Sequence, residues 1–449
     1  MPEANEYLEA HPELLEAGVT ASLLEGFQRA VRTGDAGALR RLLGGHPAAR
    51  PVLDAPTFSF DSPALVHVSG GGDFRLIDAL LELGADPNRR SDWWAGGWHA
   101  LHAATGEVAE RLLGAGAVPD ACAAAHLDDL ALLGRLLDED PSLVHERGGD
   151  GQTPLHFARS REAADLLLSR GADPDARDVD HRGTPAEWML VGRRGAGRYD
   201  LAGHLVERGA SADVFLAAAL GLVERLRELL QADPSLPERR TGQGEYGEKP
   251  PSSYHIYTWS IGQDLSPLQV ARRFGQEEAA RVLGAFASPK ERFLAACMGA
   301  DRQEVERLLA ERPGLLQELT PRDQRALPDA GWAGHAAAVE LMLDLGFDPA
   351  TPRGKGDTVL HCAAWEGSPS CVEVALRHEG VRTLVNEPDG AYGGTPLGWC
   401  CHGARYSGNL DADHPAIARL LLEAGARSDV NLEGVPEGVA AVIRGYRRD

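Results

Sequence analysis

The segment from residue 178 to residue 181 holds the side chains that proton transfer or metal binding requires. Asp178 and Asp180 are two carboxylates beside the imidazole of His181. Such a group can serve as a general acid and base, or it can hold a metal ion. Thr184 and Pro185 follow, and this pair is typical of the first residues of a helix. Asp180 and His181 are therefore candidate ligand-binding residues in a turn before a helix.

Two other motifs lack the context that their chemistry needs. Cys400, Cys401 and His402 place thiols beside an imidazole, but adjacent residues on a helix point in different directions, so no nucleophile pair is implied. The run from Gly242 to Gly247 spells GxGxxG but does not link a strand to a helix. The P-loop, CxxC, HExxH and GxSxG patterns do not occur. We therefore predict no catalytic residues, no metal and no cofactor, and we favour a non-enzymatic protein over an enzyme.

The charge balance disfavours two classes of partner. Lys and Arg number 45 against 67 Asp and Glu, which gives a formal net charge of −22. A nucleic-acid-binding protein needs a basic face for the phosphate backbone, and an anionic membrane makes the same demand. We therefore expect the chain to bind neither nucleic acid nor a membrane.

The sequence also predicts a cytoplasmic location. Residues 1–10 are acidic and do not form a secretory signal. No segment approaches the about 18 uninterrupted apolar residues that span a bilayer. The six cysteines are sparse, and the adjacent pair Cys400 and Cys401 cannot easily form an unstrained bridge, so we expect reduced thiols.

The elements that position these residues repeat along the chain. Segments such as LLELGADP at 80–87 and LLSRGADP at 167–174 end a helix with a glycine that can adopt the left-handed conformation. Between them recurs a tetrad in which Thr or Ser caps a helix and Pro takes its first position. The tetrad is complete, as TPLH, at residues 153–156, and it is varied at residues 62–65, 99–102, 184–187, 266–269, 358–361 and 395–398.

These patterns resemble the ankyrin repeat, a unit of about 33 residues with two antiparallel helices and a turn, marked by T-P-L-H-x-A. Trp332-Ala-Gly-His335 recurs one repeat later as Trp365-Glu-Gly-Ser368, and a helix pair without the tetrad begins near residues 27, 121, 215 and 293. The resemblance covers roughly residues 22–430. It implies an all-α ankyrin-repeat solenoid of about twelve helix-turn-helix repeats with long loop inserts.

We predict an N-terminal cap or tail at residues 1–21, the ankyrin-repeat solenoid at 22–430 and a C-terminal cap helix at 431–449. Three connections exceed the length of a repeat turn, at residues 88–98, 237–264 and 403–414. Long loops in compact domains are usually functional or disordered. The insert loop 237–264 is expected to return through a short strand at Tyr254–Trp259, because that run is rich in aromatic and branched residues.

The resemblance implies that protein partners bind in the concave groove formed by the turns and first helices of the repeats. Trp332, Trp365 and His402 hold equivalent positions near the end of a first helix, and Trp188 and Trp399 share the position after the tetrad. Aromatic rings can anchor proteins or small apolar ligands. The candidate binding residues are Trp93, Trp94, Trp98, Asp180, His181, Trp188, Tyr254, His255, Tyr257, Trp259, Trp332, Trp365, Trp399 and His402.

Structural roles for these residues stay open as alternatives. Each ring could instead fill a gap between degenerate repeats. In the family, aspartates of the turn commonly accept hydrogen bonds from backbone amides, which is the alternative for Asp178 and Asp180. In the family, the tetrad histidine also makes hydrogen bonds that stabilise adjacent turns. This role is the alternative to a metal site at His99 and His102.

The predicted function is protein–protein interaction or scaffolding through the concave groove. The partner is expected to have a basic or an apolar surface, because an acidic protein steers towards basic partners. The alternative is a small-molecule-binding protein or an enzyme, with a pocket formed by the concave face and the loops 88–98 and 237–264.

Overall fold

The computed structural model describes residues 4–192, 197–354, 356–409 and 411–447. All candidate binding residues lie within these ranges. Residues 1–3 of the predicted cap, residue 410 of the third loop and residues 448–449 at the C-terminus lie outside them. The chain forms two compact units: unit 1 comprises Met1–Leu216 and Arg240–Leu265, and unit 2 comprises Ala217–Arg239 and Ser266–Asp449.

Unit 1 is built from short helices that follow one another mostly in pairs. Helix α14 (Val214–Leu220) begins in unit 1 and ends in unit 2. The other helices of unit 1 are α1 (Ala4–Ala10), α2 (Pro12–Glu16), α3 (Ala21–Arg32), α4 (Ala36–Gly45), α5 (Ala64–Val68), α6 (Phe74–Leu83), α7 (Gly106–Gly114), α8 (Ala121–His126), α9 (Leu130–Glu139), α10 (Pro154–Phe157), α11 (Arg161–Ser169), α12 (Pro185–Trp188), α13 (Tyr199–Glu207) and α16 (Tyr257–Ser260).

Unit 2 continues the same pattern. Its helices are α15 (Val223–Ala232), α17 (Pro267–Arg273), α18 (Glu277–Phe286), α19 (Pro289–Met298), α20 (Arg302–Glu311), α21 (Ala326–Trp332), α22 (Ala336–Asp344), α23 (Val359–Glu366), α24 (Pro369–Leu376), α25 (Glu379–Arg382), α26 (Pro396–Tyr406), α27 (His414–Glu423) and α28 (Glu437–Tyr446). Within the described ranges, β-type pairing is limited to two isolated bridges, so the predicted all-α fold is confirmed. None of the described helices has the length and apolarity that crossing a membrane requires.

The recurring glycines end helices as the sequence predicts. Gly84 follows α6 with a φ of 100°, and Gly346 comes shortly after α22 with a φ of 90°. A left-handed backbone is cheap only for a residue without a Cβ atom. The amide of Gly84 then bonds back to the carbonyl of Leu80, so the helix end keeps a hydrogen bond while the chain turns.

The tetrad histidines join consecutive turns, as the resemblance implies. Nδ1 of His156 accepts the N–H of Thr153 at 3.0 Å, and its Nε2 lies 3.2 Å from the carbonyl oxygen of Gly183 in the next turn. His361 reaches the carbonyl oxygen of Gly394 at 3.1 Å in the same way. Because Nδ1 accepts, the proton of the neutral ring lies on Nε2 and is donated across the repeats. Burial lowers the pKa of His156 to about 3.

Small apolar side chains fill the core of each unit. In unit 2 the core includes Cys297, Cys371, Cys400 and Cys401 among leucines and alanines. All six cysteines are buried and free, and burial raises the pKa of the Cys400 thiol well above its ordinary value. These thiols therefore pack as small apolar groups and are not poised as nucleophiles.

The returning part of the insert differs from the sequence prediction. Tyr257–Ser260 form the single turn α16, and the N–H of Ile261 bonds to the carbonyl of Tyr257 at 2.9 Å. A strand needs a neighbouring strand to satisfy its backbone groups. In the described part of the insert the only such pairing joins Lys249 and Ser252, so the expected strand at Tyr254–Trp259 is wrong and the backbone is satisfied locally.

We predict that His156→Gln lowers stability at neutral pH. Gln269 already occupies the equivalent tetrad position, where its Oε1 accepts the N–H of Ser266 at 2.8 Å. The variant therefore keeps the helix cap and loses the bond to Gly183. Its free energy of unfolding should be about 1 kcal/mol lower at pH 7, measured by urea unfolding.

The same variant should become relatively more stable in acid. The unfolded chain protonates His156 near its ordinary pKa of about 6.5, whereas the folded chain does so only near a pKa of about 3. The wild type therefore loses stability as the pH falls from 6.5 towards 3, and the variant lacks this loss. Repeating the measurement at pH 5 should show a smaller difference. A difference that grows on acidification contradicts the assignment, and His46→Gln at an exposed position is the control.

Candidate functional site

In unit 2, rings from three neighbouring first helices form one row. The indoles of Trp332 in α21 and Trp365 in α23 are parallel, with ring centres 6.1 Å apart and 9° between the planes. In α26, Trp399 lies 5.9 Å and His402 lies 5.2 Å from Trp365, and Tyr406 lies 4.6 Å from His402. We call these five residues the aromatic row. The indoles are half-buried, whereas His402 and Tyr406 are exposed.

An arginine lies at each end of the aromatic row. The guanidinium of Arg353 is 4.5 Å from the ring centre of Trp332, and Asp329 holds it with an Nε–Oδ1 distance of 2.7 Å. Arg405 lies 4.9 Å from the ring centre of Tyr406. Both distances fit cation–π contacts. Sequence reasoning missed Tyr406, although it follows His402 by one helical turn and its spacing could have indicated it.

An aspartate of the preceding turn fixes each tryptophan that follows a tetrad. Nε1 of Trp399 donates to Oδ2 of Asp389 at 2.9 Å, and the same oxygen accepts the N–H of Gly394 at 2.7 Å. In unit 1, Nε1 of Trp188 donates to Oδ1 of Asp178 at 3.0 Å. Asp178 also accepts turn amides, as the family resemblance implies for it.

In unit 1, one predicted loop contacts the turn of Asp150, and the other contacts the turn of the next repeat, which carries Asp180 and His181. Trp98 of loop 88–98 donates its Nε1 to Oδ1 of Asp150 at 3.3 Å. Ser253 of the insert donates its backbone N–H to Oδ1 of Asp180 at 3.0 Å. Asp150, Asp180 and His181 each present one ligand atom, and these atoms lie within 4.8 Å of one another. We call these three residues the turn cluster.

Sequence reasoning missed Asp150 because it belongs to the corresponding turn one repeat earlier. Gly149 allows the approach of Trp98, since a Cβ atom there would lie 2.1 Å from the indole. Asp150 itself has a φ of 56°, a left-handed conformation that aspartate tolerates better than most residues. Alignment of the turns was the signal that could have found it.

Burial controls the charges of the turn cluster. Asp150 is 3% exposed and Asp180 is 4% exposed. Burial raises the pKa of Asp150 to about 6; the imidazole of His181 opposes this rise, and the carboxylates of Asp180 and Asp178 add to it. Burial also raises the pKa of Asp178. The turn therefore gathers more negative charge than its surroundings solvate well.

Two insert residues of the candidate set are buried against the chain itself. The Tyr257 hydroxyl lies 3.1 Å from Oε1 of Glu187 and 2.8 Å from Oδ1 of Asp213, while Tyr246 donates to Oδ2 of Asp213 at 2.8 Å. Nε2 of His255 lies 3.5 Å from Oε2 of Glu187. Burial, with the charge of Glu187, raises the pKa of Asp213. This network attaches the insert to the repeats.

The remaining candidates lie near the surface of unit 1. Trp93 and Trp94 have ring centres 6.0 Å apart, and Trp94 is 45% exposed. Trp259 is 64% exposed, with its ring centre 6.2 Å from that of His181. Tyr254 contributes its carbonyl oxygen, which lies 3.1 Å from Nδ1 of His181.

Two segments of the chain match family models of ankyrin repeats. The family model for ankyrin repeats in three copies matches residues 327–433, and the model for a single ankyrin repeat matches residues 150–179. The first match contains the whole aromatic row, and the second contains Asp150 and Asp178. Paired short helices with capping tetrads define a helical repeat protein. Within that class, residues 150–179 and 327–433 are ankyrin repeats.

Individual relatives are similar over limited lengths. The serine/threonine-protein kinase VIK of Arabidopsis thaliana is 47% identical over 57 residues, which are 12% of this chain and 13% of the kinase. The ankyrin repeat domain of human ASB11 has a TM-score of 0.32 at 19% identity and covers 53% of this chain and 98% of that domain. The ankyrin repeat domain of Bcl-3, a member of the IkappaB family, has a TM-score of 0.29 at 21% identity, over 53% of this chain and 99% of that domain.

We predict that Tyr257→Phe loosens the insert. The buried Tyr257 hydroxyl lies within hydrogen-bond distance of the carboxylates of Glu187 and Asp213. Its loss should therefore lower the local stability by about 1–3 kcal/mol. Backbone amides of residues 255–262 should exchange with deuterium faster, as followed by mass spectrometry. Tyr254→Phe is the matched control, because the Tyr254 hydroxyl makes no hydrogen bond to the described residues. Equal exchange in wild type and Tyr257→Phe contradicts the attachment by this network.

Proposed function

We propose that the chain is a protein-binding scaffold and that the aromatic row of unit 2 is its binding surface. Ankyrin repeats generally serve as protein–protein interaction modules. The observation that carries the proposal is the contact of aromatic rings from three repeats, which leaves half-buried indoles beside the exposed rings of His402 and Tyr406.

The geometry of the row suits an anchor for a partner. Tryptophan and tyrosine supply much of the binding energy at protein interfaces, because they bury a large rigid area. The half-buried Trp332 and Trp365 keep part of their surface in water. A partner that covers them gains the remaining hydrophobic contact.

The row favours an apolar segment of the partner over a basic one. Arg353 already covers one face of Trp332, so a cation of the partner would meet a like charge there. A basic region of the partner would instead be attracted by the net charge of −22 on the whole chain. We therefore propose a partner with an apolar contact segment flanked by basic residues, and we propose that it is not a nucleic acid or a membrane.

We also propose that the chain works in the cytoplasm. All six cysteines are buried and free, which fits a reducing compartment.

The proposal predicts that Trp332→Ala combined with Trp365→Ala abolishes partner capture. Loss of two central anchors should cost about 2 kcal/mol or more each, or over a hundredfold in affinity together. Wild type is first used to capture proteins from the native host, and each candidate is then purified and titrated against both forms. Phe286→Ala, at an exposed position of α18, is the control. Unchanged affinity in a double variant with wild-type circular dichroism contradicts the assignment.

A second candidate function is small-molecule binding or catalysis in unit 1. The observation in its favour is that the loops 88–98 and 237–264 both contact the turn cluster, through Trp98 and Ser253. Native mass spectrometry of the full chain after incubation with a metabolite extract tests it. A bound metabolite that Asp180→Asn removes supports this candidate, and its retention by that variant contradicts it.

A further inference from the structure

We propose that Asp150, Asp180 and His181 form a site for a divalent transition-metal cation, with Zn²⁺ as the best match. One imidazole nitrogen and two carboxylate oxygens lie within 4.8 Å of one another, and Nε2 of His181 is 3.6 Å from Oδ2 of Asp180. Ligand atoms that share a tetrahedral zinc ion are roughly 3.3 Å apart, because each bond is about 2.0 Å long. Small side-chain rotations therefore bring the three atoms to one cation. This site does not depend on the function proposed for the aromatic row.

The orientation of His181 is that of a metal ligand. Its Nδ1 lies 3.1 Å from the carbonyl oxygen of Tyr254. The Ser253 hydroxyl lies 2.8 Å from the same nitrogen and can accept as well as donate, whereas a carbonyl oxygen only accepts. Both contacts are satisfied when Nδ1 carries the proton, which leaves the lone pair of Nε2 towards Asp180. Metal-binding histidines are held in this manner, with the distal ring nitrogen donating to a carbonyl or carboxylate.

The two carboxylates are buried and incompletely bonded. The side chain of Asp150 accepts one hydrogen bond, from Trp98 to Oδ1. The side chain of Asp180 accepts one, from Ser253 to Oδ1. Neither Oδ2 atom accepts a hydrogen bond from the described residues, and neither atom is fully buried, although the residues are only 3% and 4% exposed. A cation at this point would satisfy both oxygens and offset the cost of burying them.

The nearby arginines do not supply this positive charge. Arg147 donates to the carbonyl oxygen of Gly151 at 2.6 Å and to that of Arg177 at 2.7 Å. Arg182 donates to the carbonyl oxygen of Glu245 at 2.9 Å. In the part of the chain that the structure describes, the one ion-pair contact to a carboxylate of the turn cluster is that of His181 itself. A divalent cation therefore fits a local excess of negative charge.

A second group with metal-binding residue types does not share these properties. Nε2 of His102 already bonds to Oδ2 of Asp120 at 2.9 Å. Asp120 is also paired with Arg90 at 2.5 Å, and it caps α8 through the N–H of Ala123 at 2.6 Å. Burial raises the pKa of the Cys122 thiol well above its ordinary value. The charges of this group are compensated within the protein.

The ligand set selects the kind of cation. Ca²⁺ and Mg²⁺ prefer six or more oxygen ligands, whereas Zn²⁺ takes nitrogen and oxygen together at low coordination number. Three protein ligands leave one position for water or for a group of a bound molecule. Bound zinc would join the turn of Asp150 to that of Asp180 and, through the contact of His181 with Tyr254, to the insert.

Calorimetric titration of the untagged full chain with ZnCl₂, after removal of metals with EDTA, tests the site. We expect one zinc per chain and a loss of affinity of at least about tenfold in Asp150→Asn and in His181→Gln. Asp173→Asn, in an exposed part of the same repeat, and Cys122→Ala, in the other group, should bind as wild type does. Substitution with Co²⁺ should give visible absorption bands from a low-coordinate site with nitrogen and oxygen ligands.

A second measurement applies even where a variant does not fold. In the wild type, Zn²⁺ should slow deuterium exchange at residues 178–183 and 252–256, and Mg²⁺ should not. Three results would each overturn the proposal. They are the absence of stoichiometric zinc binding, a wild-type affinity for zinc in both Asp150→Asn and His181→Gln, and the loss of zinc binding in Cys122→Ala. None of these results bears on partner capture by Trp332 and Trp365, so the two proposals fail separately.

Discussion

Two tetrad histidines hold neighbouring repeats in register through a hydrogen bond that leaves one repeat and ends in the turn of the next. Each histidine makes two hydrogen bonds: its Nδ1 caps its own helix, and its Nε2 donates to a carbonyl oxygen of the next repeat. His156 does this towards Gly183, and His361 does it towards Gly394. A single repeat cannot bury its apolar face alone, so a repeat is stabilised only when its neighbours are held in register with it.

The tetrad at residues 184–187 has a glutamate in place of the histidine, and this difference explains how the insert attaches. Glu187 still caps its helix, since Oε2 accepts the N–H of Thr184 at 2.8 Å. Its second oxygen lies 3.1 Å from the Tyr257 hydroxyl of the insert. A carboxylate cannot donate to the carbonyl of a following turn, so the position that a histidine would use for stacking is used for docking a long segment.

The sequence was sufficient for features that depend on local chemistry, and insufficient for those that depend on contacts across repeats. Glycines after helices and capping Thr or Ser predicted the all-α repeats, and repeat spacing predicted that Trp332 and Trp365 hold equivalent positions. Asp150 was missed because its approach to Asp180 arises only when two turns stack. The run Tyr254–Trp259 has strand propensity, but propensity is expressed only beside another strand, and Tyr257 is instead drawn to two buried carboxylates.

The bond between Asp389 and the indole of Trp399 has a consequence for the entropy and specificity of binding at the surface that we propose. The nitrogen edge of the ring is fixed to its own turn, and the ring makes an edge-to-face contact with Trp365, so these contacts hold the side chain in one rotamer. Little rotamer entropy then remains to be lost on association. A surface with immobilised rings of this kind discriminates by shape, because it cannot rearrange to suit a second, differently shaped segment.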